Sequence, residues 1–118
     1  MIYKLLVAAE WDAAQAAGEY AGSAVDRADG FIHLSAADQV VETARRHFAH
    51  VTGAHATGLV LLAVDPDRLG PALRWEASRG GALFPHLYAP LSASAVVAST
   101  LLADDIAPAD AVAAVLRH

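Results

Sequence analysis

The sequence predicts an α+β fold with a largely antiparallel sheet and flanking helices. Apolar runs of strand length recur along the chain, and in the first half they alternate with stretches rich in helix formers. In the second half, four such runs follow one another with turn residues between them. The resulting order, β-α-β-α-β-β-β-β-α, is typical of a mixed α+β fold whose later strands pair antiparallel.

The chain begins with a predicted strand and a predicted helix. Residues 2–8 are mostly apolar and of strand length, and residues 10–17 are rich in helix formers. Gly18 stands where a left-handed residue commonly closes a helix. Residues 18–30 carry turn formers and predict a loop, with a helical turn at 23–27.

A second strand and a longer helix are predicted next. Residues 30–35 predict the strand, and Ser35 fits as the N-cap of a helix over 36–51. Apolar residues at spacings of three and four predict the face of this helix that packs on the core. They are Val40, Val41, Ala44, Phe48 and Val51.

The second half of the chain predicts four strands and a final helix. Residues 59–64 form an unbroken apolar run, which predicts a central strand buried on both faces. Residues 72–77 and 83–88 predict a hairpin, and the β-branched run 96–102 predicts the last strand. Pro108 is suited to the first turn of a helix that runs to about residue 117.

Length and composition predict one soluble domain spanning residues 1–118, because 118 residues suffice for a hydrophobic core. Hydrophobic residues make up 56% of the chain, which argues against disorder. The absence of cysteine excludes disulfides, thiolate nucleophiles and cysteine-zinc sites, and fits a cytoplasmic protein. No run approaches the roughly 18 apolar residues that span a bilayer, and the apolar N-terminus is too short for a signal peptide, so no membrane partner is predicted.

The charge balance argues against binding to duplex nucleic acid. The net charge is −5 and only eight residues are basic. Affinity for duplex nucleic acid rises with the number of phosphates that basic side chains neutralise. The predicted partner is therefore a small phosphorylated or anionic ligand, held by a local basic pocket.

The first polar cluster runs from Asp26 to Ser35. On a strand, His33 and Ser35 share one face, while the apolar neighbours of His33 face the other way. A helix beginning at Ser35 would add free N–H groups that favour a phosphate. His33 is either a ligand contact or a buried histidine satisfied by the backbone, and Asp26 either caps a turn or orients His33. Asp29-Gly30 is a turn dipeptide, which predicts that Asp29 bonds its own backbone.

The second polar cluster lies in the predicted hairpin. If Trp75 faces the core, Glu76 faces a groove, where a raised pKa would suit it to acid–base chemistry; the alternative is a surface salt bridge. Arg79 and Gly80 offer a guanidinium and an adaptable backbone for an anion, or else an ordinary tight turn.

The second strand of that hairpin repeats the pattern of the first cluster. His86 and Tyr88 share a strand face, as His33 and Ser35 do. We infer that the two clusters line one pocket. Two histidines and a carboxylate could supply zinc ligands, but no close metal-ligand spacing is present, and no metal is predicted.

The motifs of both clusters together closely resemble an uncharacterised bacterial family, number 952 among the domains of unknown function. The similarity covers nearly the whole chain and weakens after about residue 92. The motifs that carry it are Ile2-Tyr3-Lys4, Trp11, Gly18-x-Tyr20-x-Gly22-Ser23, Asp26-x-x-Asp29-Gly30-Phe31-Ile32-His33-Leu34-Ser35, Trp75-Glu76-x-Ser78-Arg79-Gly80-Gly81 and Phe84-Pro85-His86-Leu87-Tyr88.

Members of that family resemble the ADP-ribosyltransferase fold, a split mixed sheet that binds NAD in a central cleft. Phe31-Ile32-His33-Leu34-Ser35 is similar to the His-Leu-Ser segment of RNA 2′-phosphotransferases and to the first-motif histidine of poly-ADP-ribose polymerases. The resemblance implies that His33 contacts a ribose hydroxyl or a phosphate. The Glu-x-Glu or Gln-x-Glu of arginine-directed transferases is absent.

Three hypotheses for the function follow. The first is a nucleotide-binding protein, and in its catalytic form a transferase that uses NAD or a related phosphorylated ligand. In it His33 and Arg79 contact the ligand, Ser35 contacts its phosphate and Glu76 assists the chemistry. The second is a binding module for a small anion that uses the same pocket without turnover. The third is a small hydrolase or metal-assisted enzyme based on His33 and His86.

Overall fold

The computed structural model describes residues 1–49 and 58–117, with the backbone alone at position 79. In this part of the chain the strands are β1 (Ile2–Val7), β2 (Glu19–Tyr20), β3 (Ile32–His33), β4 (Ser35–Ala36), β5 (Leu59–Val64), β6 (Leu73–Ala77), β7 (Leu83–Leu87), β8 (Leu91–Ser92) and β9 (Val96–Leu101). The helices are α1 (Ala8–Ala17), α2 (Ala24–Asp29), α3 (Val40–His47) and α4 (Pro108–Leu116). Among these helices none is both long and apolar enough to cross a membrane.

The predicted α+β class is confirmed, and every strand pairing in the described residues is antiparallel. A four-stranded sheet has the order β4-β1-β5-β9, a three-stranded sheet the order β3-β7-β6, and β2 pairs with β8. The apolar run of β5 pairs with β1 on one side and β9 on the other, as predicted for a central strand.

The four-stranded sheet is covered on both faces because its central strands are apolar at successive positions. Leu61 and its odd-numbered neighbours pack against α3 and α4, whereas Leu62 and its even-numbered neighbours pack against α1 and the smaller sheets. Lys4 lies on β1 at an even-numbered position, so its side chain points toward the smaller sheets. A lysine is thereby buried between two layers of the fold.

The predicted strand 30–35 is divided at Leu34. Its first part, β3, pairs with β7, and its second part, β4, pairs with β1. Leu34 is buried, and its N–H donates to the carbonyl of Pro85 at 3.1 Å. The chain therefore passes from the three-stranded to the four-stranded sheet within one continuous extended segment, and His33 and Ser35 belong to different sheets.

The helix predicted over 36–51 is shorter in the structure and begins at Val40, after Gln39. Its predicted N-cap is wrong, because Ser35 lies in β4 opposite Tyr3, and the Ser35 Oγ lies 2.9 Å from the Thr43 Oγ1. Val40 and Ala44 are buried as the predicted stripe requires. Val51, the last member of that stripe, lies outside the described residues.

The hairpin of β6 and β7 positions the second polar cluster. Gly80 and Gly81 turn the chain with φ of 69° and 84°, in the left-handed region that glycine adopts without a steric penalty. A Cβ built at either glycine would meet no atom within 4 Å, so the backbone angle rather than lack of space calls for glycine here. The predicted hairpin and its turn are confirmed.

Candidate functional site

One face of the three-stranded sheet carries the polar side chains of both sequence clusters. His33 on β3 lies opposite His86 on β7, which in turn lies opposite Arg74 on β6. Glu76 follows Arg74 on the same face of β6, because side chains alternate along a strand. The two imidazole rings are 5.7 Å apart between centroids. The inference that the two clusters come together is thus correct for these residues.

Asp26 orients His33 from the buried side of the ring. The Asp26 Oδ1 lies 2.6 Å from the His33 Nδ1 and accepts the backbone N–H of the same residue at 3.1 Å. The Asp26 side chain is 2% exposed, whereas that of His33 is 35% exposed. A buried carboxylate therefore holds one nitrogen of a ring whose other side is accessible.

Asp26 is itself held in a buried ion pair. The Lys4 Nζ donates to both carboxylate oxygens at 3.2 and 3.0 Å and to the His33 carbonyl at 2.9 Å. Asp26 also completes a capping box with Ser23 at the start of α2, accepting the Ser23 N–H at 2.9 Å. Both roles that the sequence left open for Asp26, capping a turn and orienting His33, are present in the structure.

Burial and charge shift the two partners of this ion pair in the same direction. Burial alone would raise the pKa of Asp26, but the hydrogen bond from His33 and the Lys4 charge outweigh it and lower that pKa far below its usual range. For Lys4, by contrast, burial lowers the pKa, and the attraction of Asp26 offsets this only in part. The carboxylate is therefore ionised throughout the neutral range, with its charge balanced by Lys4.

Asp29 reaches the other nitrogen of His33. The His33 Nε2 lies 2.9 Å from the Asp29 Oδ2, and the Asp29 side chain is 50% exposed. The predicted turn at Gly30 is present as the left-handed cap of α2. The His33 ring is thus placed between a buried and an exposed carboxylate.

Glu76 accepts two hydrogen bonds at one oxygen. The Tyr88 hydroxyl donates to its Oε1 at 2.7 Å, and the His86 Nδ1 lies 2.9 Å from the same atom. The hydrogen bond from Tyr88, followed by that from His86, lowers the pKa of Glu76, and the same Tyr88 bond raises the pKa of the Tyr88 hydroxyl. Of the two alternatives for Glu76, the raised pKa is not found, because the groups around this carboxylate are hydrogen-bond donors rather than apolar neighbours.

Phe31 joins the aromatic rings into one cluster. Its ring stacks on that of Tyr88 with centroids 5.2 Å apart, and it lies 4.6 Å from the His33 ring and 4.1 Å from the His86 ring. Tyr88 is 45% exposed, and the Arg74 guanidinium lies 5.3 Å from its ring centre. We call the rings of Phe31, His33, His86 and Tyr88 the aromatic cluster. It offers a partly exposed aromatic surface beside polar groups.

The other predicted site residues do not all join this cluster. Ser35 is buried in the four-stranded sheet, so the predicted phosphate contact at a helix N-terminus is wrong. Trp75 lies on the edge strand β6 and is 47% exposed, so the premise that it faces the core is wrong. Gly80 lies at the hairpin turn, six residues before His86, which is at most about 20 Å along the strand at about 3.4 Å per residue. The side chain of Arg79 lies outside the described residues.

Three residues of the site were not among the predicted ones. Lys4 interrupts an apolar strand, and a lysine at such a position requires a buried acid as its partner. Phe31 lies two residues before His33, so strand alternation places the two side chains on one face, and this is the signal that could have found it. Asp29 precedes His33 by four residues, but this spacing carries no signal unless the intervening chain is known to turn back.

Two concavities of the structure lie away from the aromatic cluster. One, of about 280 Å³, is lined by residues around Leu59 and Pro108, and the other, of about 470 Å³, by residues around Tyr3 and Leu116. The aromatic cluster is thus an open sheet face rather than either of these concavities. Within residues 1–49 and 58–117, no group of three or more His, Asp or Glu side chains is placed to hold a metal ion.

A protein-family model, Protein of unknown function (DUF952), matches residues 5–99. The chain belongs to this family. The match begins within β1 and ends within β9, so it includes every residue of the site except Lys4. The predicted family is therefore confirmed, and the activity of the chain does not follow from membership.

Solved structures support the same assignment. The X-ray crystal structure of protein CC0527 from Caulobacter crescentus is 53% identical, covers 95% of this chain and 97% of its own, and superposes with a TM-score of 0.81. The solution NMR structure of the same protein is 55% identical, covers 91% and 90%, and has a TM-score of 0.75. The curated proteins include no match. This member of DUF952 thus shares its fold with a bacterial protein whose structures name no ligand or activity.

Proposed function

We propose that this chain binds a nucleotide of the NAD type across the aromatic cluster. The observation that carries the proposal is the convergence of two carboxylate-oriented imidazoles with the stacked rings of half-buried Phe31 and exposed Tyr88 on one sheet face. The resemblance to the ADP-ribosyltransferase fold stays a prediction, and it supports the same class of ligand.

His33 supplies an oriented hydrogen-bonding group. Asp26 holds the Nδ1 of the ring, and the Nε2 contacts the exposed carboxylate of Asp29, so a ligand would meet the ring at this second nitrogen together with Asp29. A ring fixed by a buried carboxylate loses little entropy when it forms another hydrogen bond. A ribose hydroxyl, which both donates and accepts, is a suitable partner for this nitrogen.

Phe31 and Tyr88 supply a surface on which a planar ring can stack. Their rings are nearly parallel, at 12°, and Tyr88 is 45% exposed. Stacking of a base on an aromatic side chain contributes about 1–3 kcal/mol and tolerates different bases. An adenine or nicotinamide ring is therefore favoured over a purely aliphatic ligand.

The phosphate groups of such a ligand would extend toward positive charge on β6 and at the hairpin turn. Arg74 is exposed and lies beside the Tyr88 ring. The turn at Gly80 lies six residues beyond Arg74, at most about 20 Å further along the strand, so only the far end of an extended ligand would approach it. Lys4 does not serve this purpose, because its charge is balanced by Asp26.

A transferase of this kind would use Glu76 as a negative charge rather than as a proton donor. Its lowered pKa keeps the carboxylate ionised near neutral pH. When the bond between ribose and nicotinamide breaks, the bonding pair leaves with nicotinamide and positive charge develops on the ribose. An ionised carboxylate beside that ribose would stabilise the developing charge.

The second candidate is binding without turnover, and one observation favours it. The carboxylates of Asp26 and Glu76 both have lowered pKa values, so neither is suited to accept a proton as a general base near neutral pH. A site that orients its groups firmly but offers a weak base suits recognition better than proton transfer.

Calorimetry with NAD, ADP-ribose and 2′-phosphorylated RNA tests the proposal. We expect at least one of them to bind, and His33→Ala to weaken that binding about tenfold or more, the value of one hydrogen bond to an oriented group. His47→Ala, which removes an exposed histidine of α3, is the matched control and should bind as the wild type does. If no ligand binds at millimolar concentration, the nucleotide hypothesis is wrong. A bound ligand recovered unchanged after long incubation supports the second candidate.

A further inference from the structure

Both ring nitrogens of His33 contact carboxylates. Asp26 holds the Nδ1 at 2.6 Å and Asp29 the Nε2 at 2.9 Å. The two carboxylates differ in exposure, because the Asp26 side chain is 2% exposed and that of Asp29 is 50% exposed. Asp26 is part of the folded core, whereas Asp29 stands on the surface that a ligand would approach.

We propose that Asp29 is a specificity-determining residue, which admits ligand hydroxyl groups to His33 and rejects phosphate and carboxylate groups there. The inference rests on the proposed function, and it resolves whether His33 receives a ribose hydroxyl or a phosphate. The ligand would then bind with its sugar, rather than its phosphate, against the imidazole of His33.

The selection follows from the donors and acceptors at this position. A carboxylate accepts hydrogen bonds only, and so does an ionised phosphate, so a phosphate at the Nε2 would face the Asp29 oxygens with no proton between them. A hydroxyl can accept a hydrogen bond from the ring and donate one to Asp29. A pair of adjacent hydroxyls can contact both groups at once, since the Nε2 and the Oδ2 are only 2.9 Å apart.

The surrounding charges reinforce the selection. Lys4 is the cation nearest to this pair among the contacts of His33, and its charge is already balanced by Asp26. His86 lies next to the His33 ring and contacts the ionised Glu76. The outward side of His33 therefore presents the exposed carboxylate of Asp29 to an approaching anion, which it repels.

The experiment compares ADP-ribose with inorganic pyrophosphate on two variants. Asp29→Ala removes the carboxylate, and Asp104→Ala removes an exposed carboxylate from the segment between β9 and α4, with the same change in net charge. Dissociation constants come from calorimetry. The ring-nitrogen NMR signals of His33 report whether pyrophosphate reaches the imidazole.

We expect the wild type and Asp104→Ala to bind ADP-ribose in preference to pyrophosphate. In Asp29→Ala, pyrophosphate should bind more tightly and ADP-ribose less tightly, so that the preference falls about tenfold or more, as expected for loss of a hydrogen bond to a charged group. Pyrophosphate should shift the His33 signals in Asp29→Ala and leave them unchanged in the wild type.

The outcomes separate this inference from the proposed function. If the wild type binds ADP-ribose and Asp29→Ala shows the same preference, Asp29 does not determine specificity, while the nucleotide site remains. If ADP-ribose binds neither protein, that result counts against the proposed function, and the His33 signals still decide the role of Asp29. Pyrophosphate that shifts those signals in Asp29→Ala alone supports the selection, and shifts in both proteins or in neither overturn it.

Discussion

The two histidine–carboxylate pairs of the site are opposite in burial. In the pair of Asp26 and His33 the carboxylate is 2% exposed and the imidazole 35% exposed. In the pair of Glu76 and His86 the imidazole is 6% exposed and the carboxylate 38% exposed. Neighbouring positions on two strands thus present different groups to solvent, an imidazole in the first pair and a carboxylate in the second.

The difference indicates a division of roles. A buried carboxylate must be paired to be tolerated, and Lys4 and His33 pair with Asp26. A buried imidazole such as His86 serves packing, and its aromatic contact with Phe31 fixes the aromatic cluster. We therefore expect the buried members, Asp26 and His86, to stabilise the fold, and the exposed members, His33 and Glu76, to contact the ligand and set the charge around it.

Removal of Asp26 should have the largest effect. Asp26→Asn leaves the buried Lys4 ammonium without an opposite charge, which should lower the free energy of unfolding by about 3–5 kcal/mol. Urea denaturation followed by circular dichroism measures it. Asp12→Asn, an exposed carboxylate on α1, is the matched control and should change it by less than about 0.5 kcal/mol.

A double substitution tests whether the lost charge is the cause. Lys4→Met combined with Asp26→Leu replaces the buried ion pair by apolar side chains and should be more stable than Asp26→Asn alone. If the double variant is the less stable of the two, the hydrogen bonds of Asp26 to Ser23 and His33, rather than its charge, support the fold.

Acid should remove the advantage that Asp26 provides. Because the folded-state pKa of Asp26 is lowered, its contribution is fully present above the unfolded-state value of about 4 and is lost as the pH falls toward the folded-state value. The difference in unfolding free energy between the wild type and Asp26→Asn should therefore shrink below about pH 4. Urea titrations at pH 7, 4 and 2.5 measure it. A difference that is the same at all three values would contradict the lowered pKa.

The two histidines should respond differently to truncation. His86→Ala leaves space in a buried layer and should cost about 2–3 kcal/mol, near the upper end of common single substitutions. His33→Ala loses a hydrogen bond from a half-exposed ring and should cost about 1 kcal/mol. Thermal unfolding of both variants beside His47→Ala checks the order. Equal losses for His33 and His86 would show that the difference in burial does not separate their roles.

Local signals predicted most of the fold. The apolar run of β5, the turn at Gly80 and the start of α4 at Pro108 depend on residues close in sequence, and each is where the sequence places it. The division of the predicted strand at Leu34 was missed, because an extended backbone is compatible with pairing in either sheet. Ser35 was accordingly assigned to a helix cap and a ligand contact that the structure does not contain.

The site could be predicted where a side chain's role follows from strand alternation. His33, Glu76, His86 and Tyr88 were placed together in this way, and the structure brings them together. Lys4 and Asp29 could not be placed, because each meets its partner through tertiary packing between elements or through the turn of α2. The sequence left the direction of the Glu76 pKa shift open, since its hydrogen-bond donors, His86 and Tyr88, lie on a different strand or just beyond it.

The smallest effect should come from removal of the Tyr88 hydroxyl. This change tests the pair of Glu76 and His86 alone. Tyr88→Phe keeps the ring on Phe31 and removes only the donor to Glu76. Because that hydrogen bond is the main cause of the lowered pKa, the Glu76 pKa should rise toward its ordinary value while His86 still holds it below. The pH dependence of the Glu76 side-chain carboxyl carbon signal measures the change, and Tyr3→Phe, away from the site on β1, is the control. An unchanged titration would mean that His86, rather than Tyr88, keeps Glu76 ionised, and the second pair would then resemble the first in depending mainly on its imidazole.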